Sequence, residues 1–315
     1  MDDRGLAGRR ASAIVNLQAG SGRAKWKRKF GEWVAGLGNG VEILTTKQPG
    51  DATRLTQEAL RRGRKLILAV GGDGTVNEVV NGFFEGEALL SEDAELAILP
   101  CGTGQDFARS IGMGAGDWRL AATLADLPAR SVDAGRVRLV GPGGQPVLRY
   151  FLNIADFGIS ALIAQRVNRA AKPFGGRFAF YFGTLRTLFR WRNRRVRLQV
   201  DDEPEQERVV KLVAVANGRY FGGGMCVAPS ARLDDGKFEL VIFGDLGPWE
   251  SVVRQPRLYQ CRPIRHAEVE YRPCRRISAA SDQDLLVDTD GEQPGFLPAT
   301  FEVVPGAIQI LAPMV

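Results

Sequence analysis

The chain predicts a two-lobed protein. An α/β lobe with a doubly wound, mostly parallel sheet comes first, a mainly antiparallel, β-sandwich-like lobe follows, and a cleft is expected between them. Three observations lead there. Short apolar runs alternate with helical patterns through the first third, glycines cluster where those runs end, and after Arg130 the pattern turns to strands separated by turn signals. The expected boundaries are 1–130 for the first lobe and 131–305 for the second, with 306–315 a candidate to return to the first.

In the first lobe, Ala13–Val15, Val41–Leu44, Leu66–Val70 and Leu96–Leu99 read as buried parallel strands. Between them Trp26, Phe30, Trp33 and Val34 share one helical face. Leu55, Ala59 and Leu60 share another, with Asp51 as its N-cap and Gly63 as its stop. In the second lobe, strands are expected near Val132–Leu139, Arg149–Ala155, Val196–Asp201, Val209–Ala216, Phe238–Phe243, Glu268–Tyr271, Leu285–Val287 and Phe301–Val304. The turns GPGGQP and LDDGK separate several of them. Helices are expected near Ile159–Ala171 and Gly176–Arg190, and the closing Ala307–Leu311 strand is the candidate for return.

Composition narrows the class. With 44% hydrophobic and 25% charged residues, the chain is an ordinary globular one. No run approaches the roughly 18 apolar residues that a membrane-spanning helix needs. The N-terminal MDDRGLAGRR lacks the apolar stretch of a secretory signal, so a cytoplasmic protein is expected. Cys101, Cys226, Cys261 and Cys274 lie far apart and His266 is the lone histidine. That spacing gives no zinc site and predicts reduced thiols, with His266 a solvated bystander. The net charge of +6 suits an anionic partner, such as phosphorylated substrates, lipid headgroups or nucleic acid.

Three strand ends of the first lobe run through glycine-bearing loops into helices: AIVNLQAGSGRA, LILAVGGDGTVNEVVNGF and LAILPCGTGQDFARSIG. Glycine lets main chain approach phosphate oxygens, and helix N-termini aim unpaired N–H groups at them. Three such loops on one sheet edge predict a phosphate-binding lobe. None is a Walker loop or a dinucleotide fingerprint. Asp73, set between glycines, would repel phosphate unless a cation intervenes, so it implies Mg²⁺, directly or through water. It could also cap the helix starting near Gly74.

GGDGTVNEVVNG (71–82) and LPCGTGQDFARSIG (99–112) closely resemble the diacylglycerol kinase catalytic-domain family, which includes bacterial soluble lipid kinases and the sphingosine and ceramide kinases. The resemblance continues through VANGRYFGGGMCVAPSARLDDGKFELVIF (215–243) and VDTDGEQPGFLPATFEVVP (287–305), so it spans nearly the whole chain. It implies an ATP- and Mg²⁺-dependent lipid kinase that phosphorylates a lipid hydroxyl, with diacylglycerol the first acceptor and sphingoid bases the alternative. By the same resemblance Asn16–Gly20 is the nucleotide loop, with Leu17 standing at a usual proline. Thr46, Gly71, Gly72, Asp73, Gly74, Thr75, Asn77, Glu78, Gly102, Thr103 and Asp106 match nucleotide- and phosphate-binding positions, and Gln105 replaces a usual asparagine. The LDDG turn resembles the family's Mg²⁺ loop, with the carboxylate of Asp235 and the carbonyls of Arg232 and Lys237; a plain hairpin turn is its other reading. In the DGE triplet, Asp290 is the first candidate for accepting the hydroxyl proton and Glu292 the second.

A lipid kinase must meet a bilayer without spanning it. FRWRNRRVR (189–197) interleaves Phe189 and Trp191 with arginines that suit an anionic surface, although a solvated helix end reads the same way. Helices carrying Ile159, Leu162, Phe178, Phe180, Phe182 and Leu185 could line an acyl pocket or simply form core. A peripheral membrane protein is therefore expected, with a homodimer among the assemblies the resemblance allows. Competing readings are an NAD or sugar-phosphate kinase from GGDGT alone, and a non-catalytic nucleotide or lipid sensor. A nucleic-acid-binding module ranks last, because the arginine clusters lack any known nucleic-acid-binding framework.

Overall fold

The computed structural model describes residues 10–18, 30, 41–101, 104–113, 124–169 and 187–313, the side chains of 125 and 166–169 excepted. Trp26, Trp33 and Val34 of the first expected helix lie outside these residues, as do Phe178, Phe180, Phe182 and Leu185. The chain divides into two compact units, Met1–Ala134 with Pro305–Val315, and Gly135–Val304.

In the first unit, strands β1 (Ala11–Val15), β2 (Val41–Thr45), β3 (Leu66–Gly71) and β6 (Glu95–Pro100) lie in the order β2-β1-β3-β6. Every neighbouring pair is parallel, and Gln309–Leu311 add a further parallel neighbour to β6. The short β4 (Phe84–Glu85) and β5 (Ala88–Leu89) form a separate hairpin. β1 and β3 are buried at every position because helices must cover both faces of a parallel sheet. Helices α1 (Asp51–Arg61), α2 (Asp73–Gly82) and α3 (Asp106–Ser110) follow β2, β3 and β6. α1 buries Leu55, Ala59 and Leu60 and stops at Gly63, whose φ of 76° is left-handed.

The start of α1 corrects the expected cap. Gly50 is the N-cap residue and Asp51 is already helical. The Asp51 carboxylate instead accepts the amides of Lys47 (2.9 Å) and Gln48 (3.1 Å), closing the preceding turn. The unpaired amides of the helix start go to Glu78 of α2, which accepts from Gly50 (2.9 Å) and Ala52 (3.0 Å).

The second unit is a β-sandwich. One run of antiparallel neighbours is β16 (Val269–Cys274), β15 (Phe238–Phe243), β12 (Leu212–Ala216), β9 (Ile154–Gly158) and β18 (Leu286–Thr289). The other comprises β11 (Gln206–Val210), β10 (Arg194–Val200), β17 (Arg276–Ala280) and the long β19 (Glu292–Leu311), which pairs with β7 (Ala129–Val140) and through it β8 (Pro146–Phe151). Val137, Phe157, Val213, Val215, Phe238, Leu240, Ile277 and Phe301 fill the core between the layers. Leu212, Ala214 and Ala216, alternating with the valines along β12, face a second apolar cluster that includes Ile154, Ile159, Val241, Phe243 and Ile264. Both faces are covered, which explains the unbroken apolar run LVAVA. The small β13 (Tyr220–Phe221) and β14 (Met225–Cys226) hairpin, helix α4 (Ile159–Arg169) and helix α5 (Pro248–Tyr259) complete the unit.

Three sequence expectations are corrected here. Arg149–Ala155 is not one strand, because β8 ends at Phe151 and β9 begins at Ile154. Val209–Ala216 is likewise broken at Lys211. Its buried ammonium donates to the Gly247 carbonyl (3.0 Å) and Ser251 Oγ (2.8 Å), and burial pushes its pKa down to about 8. Cys226 and Cys261 are joined as a disulfide with Cα atoms 4.8 Å apart, while Cys101 and Cys274 are free and buried. The bridge spans a separation of 35 residues, which its chemistry converts into about 3–4 kcal/mol of unfolded-state constraint. Dithiothreitol is therefore expected to lower the thermal midpoint of wild type and leave that of a Cys261→Ser variant unmoved; equal shifts in both would show that the bridge does not form.

Candidate active site

In the first unit the chain leaves β1 toward β2 and later returns on the other side of β1 as β3, so the crevice beyond the carboxyl ends of β1 and β3 is the topological switch point where α/β sheets take ligands. Asn16 stands there. Its amide N–H donates to the Val70 carbonyl (3.0 Å) and its Nδ2 to Thr75 Oγ1 (3.2 Å), tying the first loop to the second. Its Oδ1 accepts the Gln18 amide (2.9 Å). Thr46, one strand over, donates its amide to the Val15 carbonyl (2.9 Å). The loop after β3 folds this tightly because residue 71 is glycine: a Cβ there would lie 2.4 Å from Thr75 Oγ1. Gly72 is extended, and α2 starts at Asp73 with Gly74, Thr75 and Asn77 in its first turns, Thr75 and Asn77 buried.

Asp73 does not cap its own helix. Its carboxylate crosses to the third loop, accepting the amides of Gln105 (2.7 Å) and Phe107 (3.3 Å) at the start of α3. A Cβ at Gly104 would sit 2.7 Å from Asp73 Oδ2, so that loop closes around the carboxylate only with glycine there. Asp106 is buried and ion-paired to Arg109 at 2.9 Å. The two oxygens of Glu78 accept the Gly50 and Ala52 amides, bracing α2 against the start of α1. Gly20, Gly102 and Thr103 lie outside the described residues.

In the second unit the DGE turn leads from β18 into β19. Asp290 has a left-handed φ of 52° and Gly291 one of 94°. The Asp290 carboxylate accepts three amides, those of Leu152 (2.9 Å), Asn153 (3.1 Å) and Ile154 (2.9 Å). That is why β8 and β9 part at 152–153: the amides of this turn point at a carboxylate instead of a ladder partner. Asn217 and Gly218, beyond the end of β12, buttress the same turn through the Asn153 carbonyl, and Asn217 Nδ2 donates to the Leu152 carbonyl (2.7 Å). Glu292 is exposed at the first position of β19.

Two residues that the motifs do not mark stand under this turn. Asp156 of β9 and Asp288 of β18 are direct register partners, and both are buried. Ser160, at the start of α4, donates its hydroxyl to Asp156 Oδ1. The Gly291 amide (2.8 Å) and Gln293 Nε2 (2.6 Å) donate to Asp288. Burial pushes the Asp156 carboxyl up to about 7, against the Ser160 hydrogen bond. Burial, and then the charge of Asp156, drives Asp288 well above the ordinary carboxylate range, with Asp290 adding in the same direction. Two buried carboxylates side by side share a proton rather than ionise together. Each is a single acid inside an apolar strand, IADFG and LVDT, and that interruption is the trace they leave in the sequence.

The LDDG turn is exposed. The Lys237 amide donates to Asp235 Oδ1 (3.1 Å), and Arg232 lies 3.6 Å from Asp234. Among the described residues no group of three or more His, Cys, Asp or Glu side chains gathers as a metal cage. A hard cation held by one carboxylate, main-chain carbonyls and water needs no such cage, and this donor set is of that kind.

Residues 10–137 match the diacylglycerol kinase catalytic domain, and residues 153–312 match the YegS C-terminal NAD kinase beta sandwich-like domain. A protein of Bacillus subtilis (strain 168) named diacylglycerol kinase is 32% identical, the match covering 97% of each chain. One of the same name from Staphylococcus carnosus (strain TM300) is 28% identical over 97% of this chain and 95% of its own. A crystal structure from Bacillus anthracis str. Sterne has a TM-score of 0.75 at 26% identity, covering 96% of both chains. No described helix is long and apolar enough to cross a membrane. The two domain matches, in this order and over nearly the full length, place the chain in the diacylglycerol kinase-like lipid kinase family.

Proposed function

We propose that this chain transfers the γ-phosphoryl group of ATP to the hydroxyl of a membrane lipid, diacylglycerol becoming phosphatidate, with Mg²⁺ as the required cation. One observation carries the reading: Asn16, Thr46, the Gly71–Thr75 turn and the loop braced by Asp73 converge on the carboxyl edge of a parallel sheet at its switch point. Main-chain amides and the first turn of α2 there suit a polyphosphate, with Gly71 and Gly72 keeping the approach open. Relatives across 97% of the chain bear the name diacylglycerol kinase, which supports the acceptor class.

Within the second unit, Asp235 with the carbonyls of Arg232 and Lys237 would hold Mg²⁺, and within the first unit Asp73 would answer a cation at the phosphates. Mg²⁺ supplies neutralisation of charge on the phosphate oxygens when bound. The DGE turn serves the acceptor. Asp290, its orientation set by three amides, takes the hydroxyl proton, and Glu292 flanks it. A loose phosphoryl-transfer transition state asks little of a base, so preorganised position is what this turn contributes. The Asp156–Asp288 pair holds the turn from beneath through the Gly291 amide.

Purified protein incubated with γ-labelled ATP, Mg²⁺ and a panel of diacylglycerol, sphingosine, ceramide and phosphatidylglycerol is expected to place label chiefly in phosphatidate. Label in a sphingoid phosphate instead would move the acceptor within the lipid class. Label only in NAD or a sugar phosphate, or none in any product, would overturn the reading.

A further inference from the structure

Helix α5 turns Trp249, Val253, Pro256 and Tyr259 outward, on the side a soluble helix ordinarily keeps polar. None of its residues is fully buried. Its inner side is largely polar: Ser251 takes the Lys211 ammonium, Gln255 Nε2 reaches Met225 Sδ at 4.0 Å, and Leu258 packs on the apolar cluster beneath. The Cys226–Cys261 bridge fastens the residues just past its end. The side turned outward repeats at helical spacing, with Trp249 at 70% exposure, Val253 at 72% and Pro256 also exposed. Phe189, at 46% exposure, sets its ring edge-on to Trp249 with centroids 5.1 Å apart. The segment bearing Phe189 is tied to the loop before α5 by Asn193, which donates to Asp245 (2.7 Å) and to the Leu246 carbonyl (3.1 Å).

Exposed arginines surround this apolar face. Arg190 and Arg192 flank Phe189, and Arg257 lies on the outer side of α5; all three are exposed and form no ion pair among the described residues. The nearby acids are already engaged, Glu250 with the Gly247 amide and His266, and Asp245 with Asn193. Aromatic and aliphatic side chains ringed by unpaired arginines match the interfacial layer of an anionic bilayer, where acyl chains receive the apolar groups and headgroup phosphates receive the guanidinium groups. A second copy of the chain fits less well, since a closed two-fold contact would set these arginines against their own copies.

We propose that the outward face of α5, with Phe189 beside it, is the surface by which this protein settles into an anionic membrane, the tip being Trp249 and Val253. The proposal deepens the reading of a membrane-lipid acceptor and rests on it for its purpose. Its deciding readout, vesicle binding, needs neither nucleotide nor turnover.

The full chain would be sedimented with vesicles of phosphatidylcholine containing about one third phosphatidylglycerol, and with phosphatidylcholine alone. Wild type is expected to bind the anionic vesicles, and vesicles with brominated acyl chains should quench its tryptophan fluorescence. Trp249→Ser combined with Val253→Ser should lower partitioning by at least about tenfold and abolish the quenching. The kinase rate of that variant on short-chain diacylglycerol in detergent micelles should stay unchanged, and its thermal midpoint should match wild type, since both side chains are exposed. Vesicle binding by the double variant equal to that of wild type would overturn the proposal. So would failure of wild type to bind anionic vesicles, or a dimer that the substitutions split into monomers. Binding that persists in a protein without kinase activity would uphold the surface and fault only the proposed function.

Discussion

Asp290→Asn is expected to lose about 10³-fold in turnover and several degrees in thermal midpoint together, whereas Glu292→Gln should lose about tenfold in turnover with the midpoint unchanged. The Asp290 carboxylate accepts three main-chain amides from residues 152–154, which no ladder partner would otherwise satisfy. An asparagine has one acceptor oxygen and would turn its NH₂ toward a donor. Hydrogen bonds to a charged acceptor contribute about 1.5–3 kcal/mol each and do not add fully, so a loss of about 3–5 kcal/mol follows. Glu292 is exposed at the start of β19 and has no comparable burden. Calorimetry beside labelled-ATP kinetics checks both halves. An unchanged midpoint for Asp290→Asn would refute the anchoring role, and near-wild-type turnover would remove it from catalysis.

Asp288→Asn should do the reverse and stabilise the protein at alkaline pH. Asp156 is raised from 3.8 to about 7 by burial, and Asp288 is raised beside it. A carboxyl with a raised folded-state pKa contributes its full stability below the unfolded value and loses it as pH climbs through the folded one. The native state holds protons that the unfolded chain has released, so stability falls between about pH 4 and 7. For Asp156 alone the shift corresponds to about 4 kcal/mol. An asparagine in place of Asp288 removes one of the two conflicting charges, and its oxygen can still accept the Gly291 amide. The expected gain is about 2 kcal/mol at pH 8, roughly 5 °C in midpoint, vanishing near pH 5. Equal gains at both pH values would show that the pair shares no proton.

Much of the architecture was legible along the chain because periodicity is local. The apolar runs at Ala13, Val41, Leu66, Leu96 and Phe238 became strands, and the glycine-bearing loops after three of them stand at one carboxyl edge. Helix α5 was not legible. Pro248 and Pro256 lie within PWESVVRQPRLY, and Trp249, Val253 and Tyr259 face outward, so the pattern that marks a core-facing helix is missing. The Cys226–Cys261 bridge escaped for a related reason: separation along the chain says nothing of whether two Cβ atoms meet.

Residue type and order alone determined the family and the fold class, since motifs such as GGDGT, LDDG and DGE are contiguous stretches that can be read without the fold. Tertiary structure decided what each acid does. Glu78 braces α1, Asp73 crosses to the third loop, Asp290 anchors the turn at 152–154, and Asp156 meets Asp288. Those assignments depend on strand register and on which amides lack a partner, and both are set by residues dozens to more than a hundred positions apart.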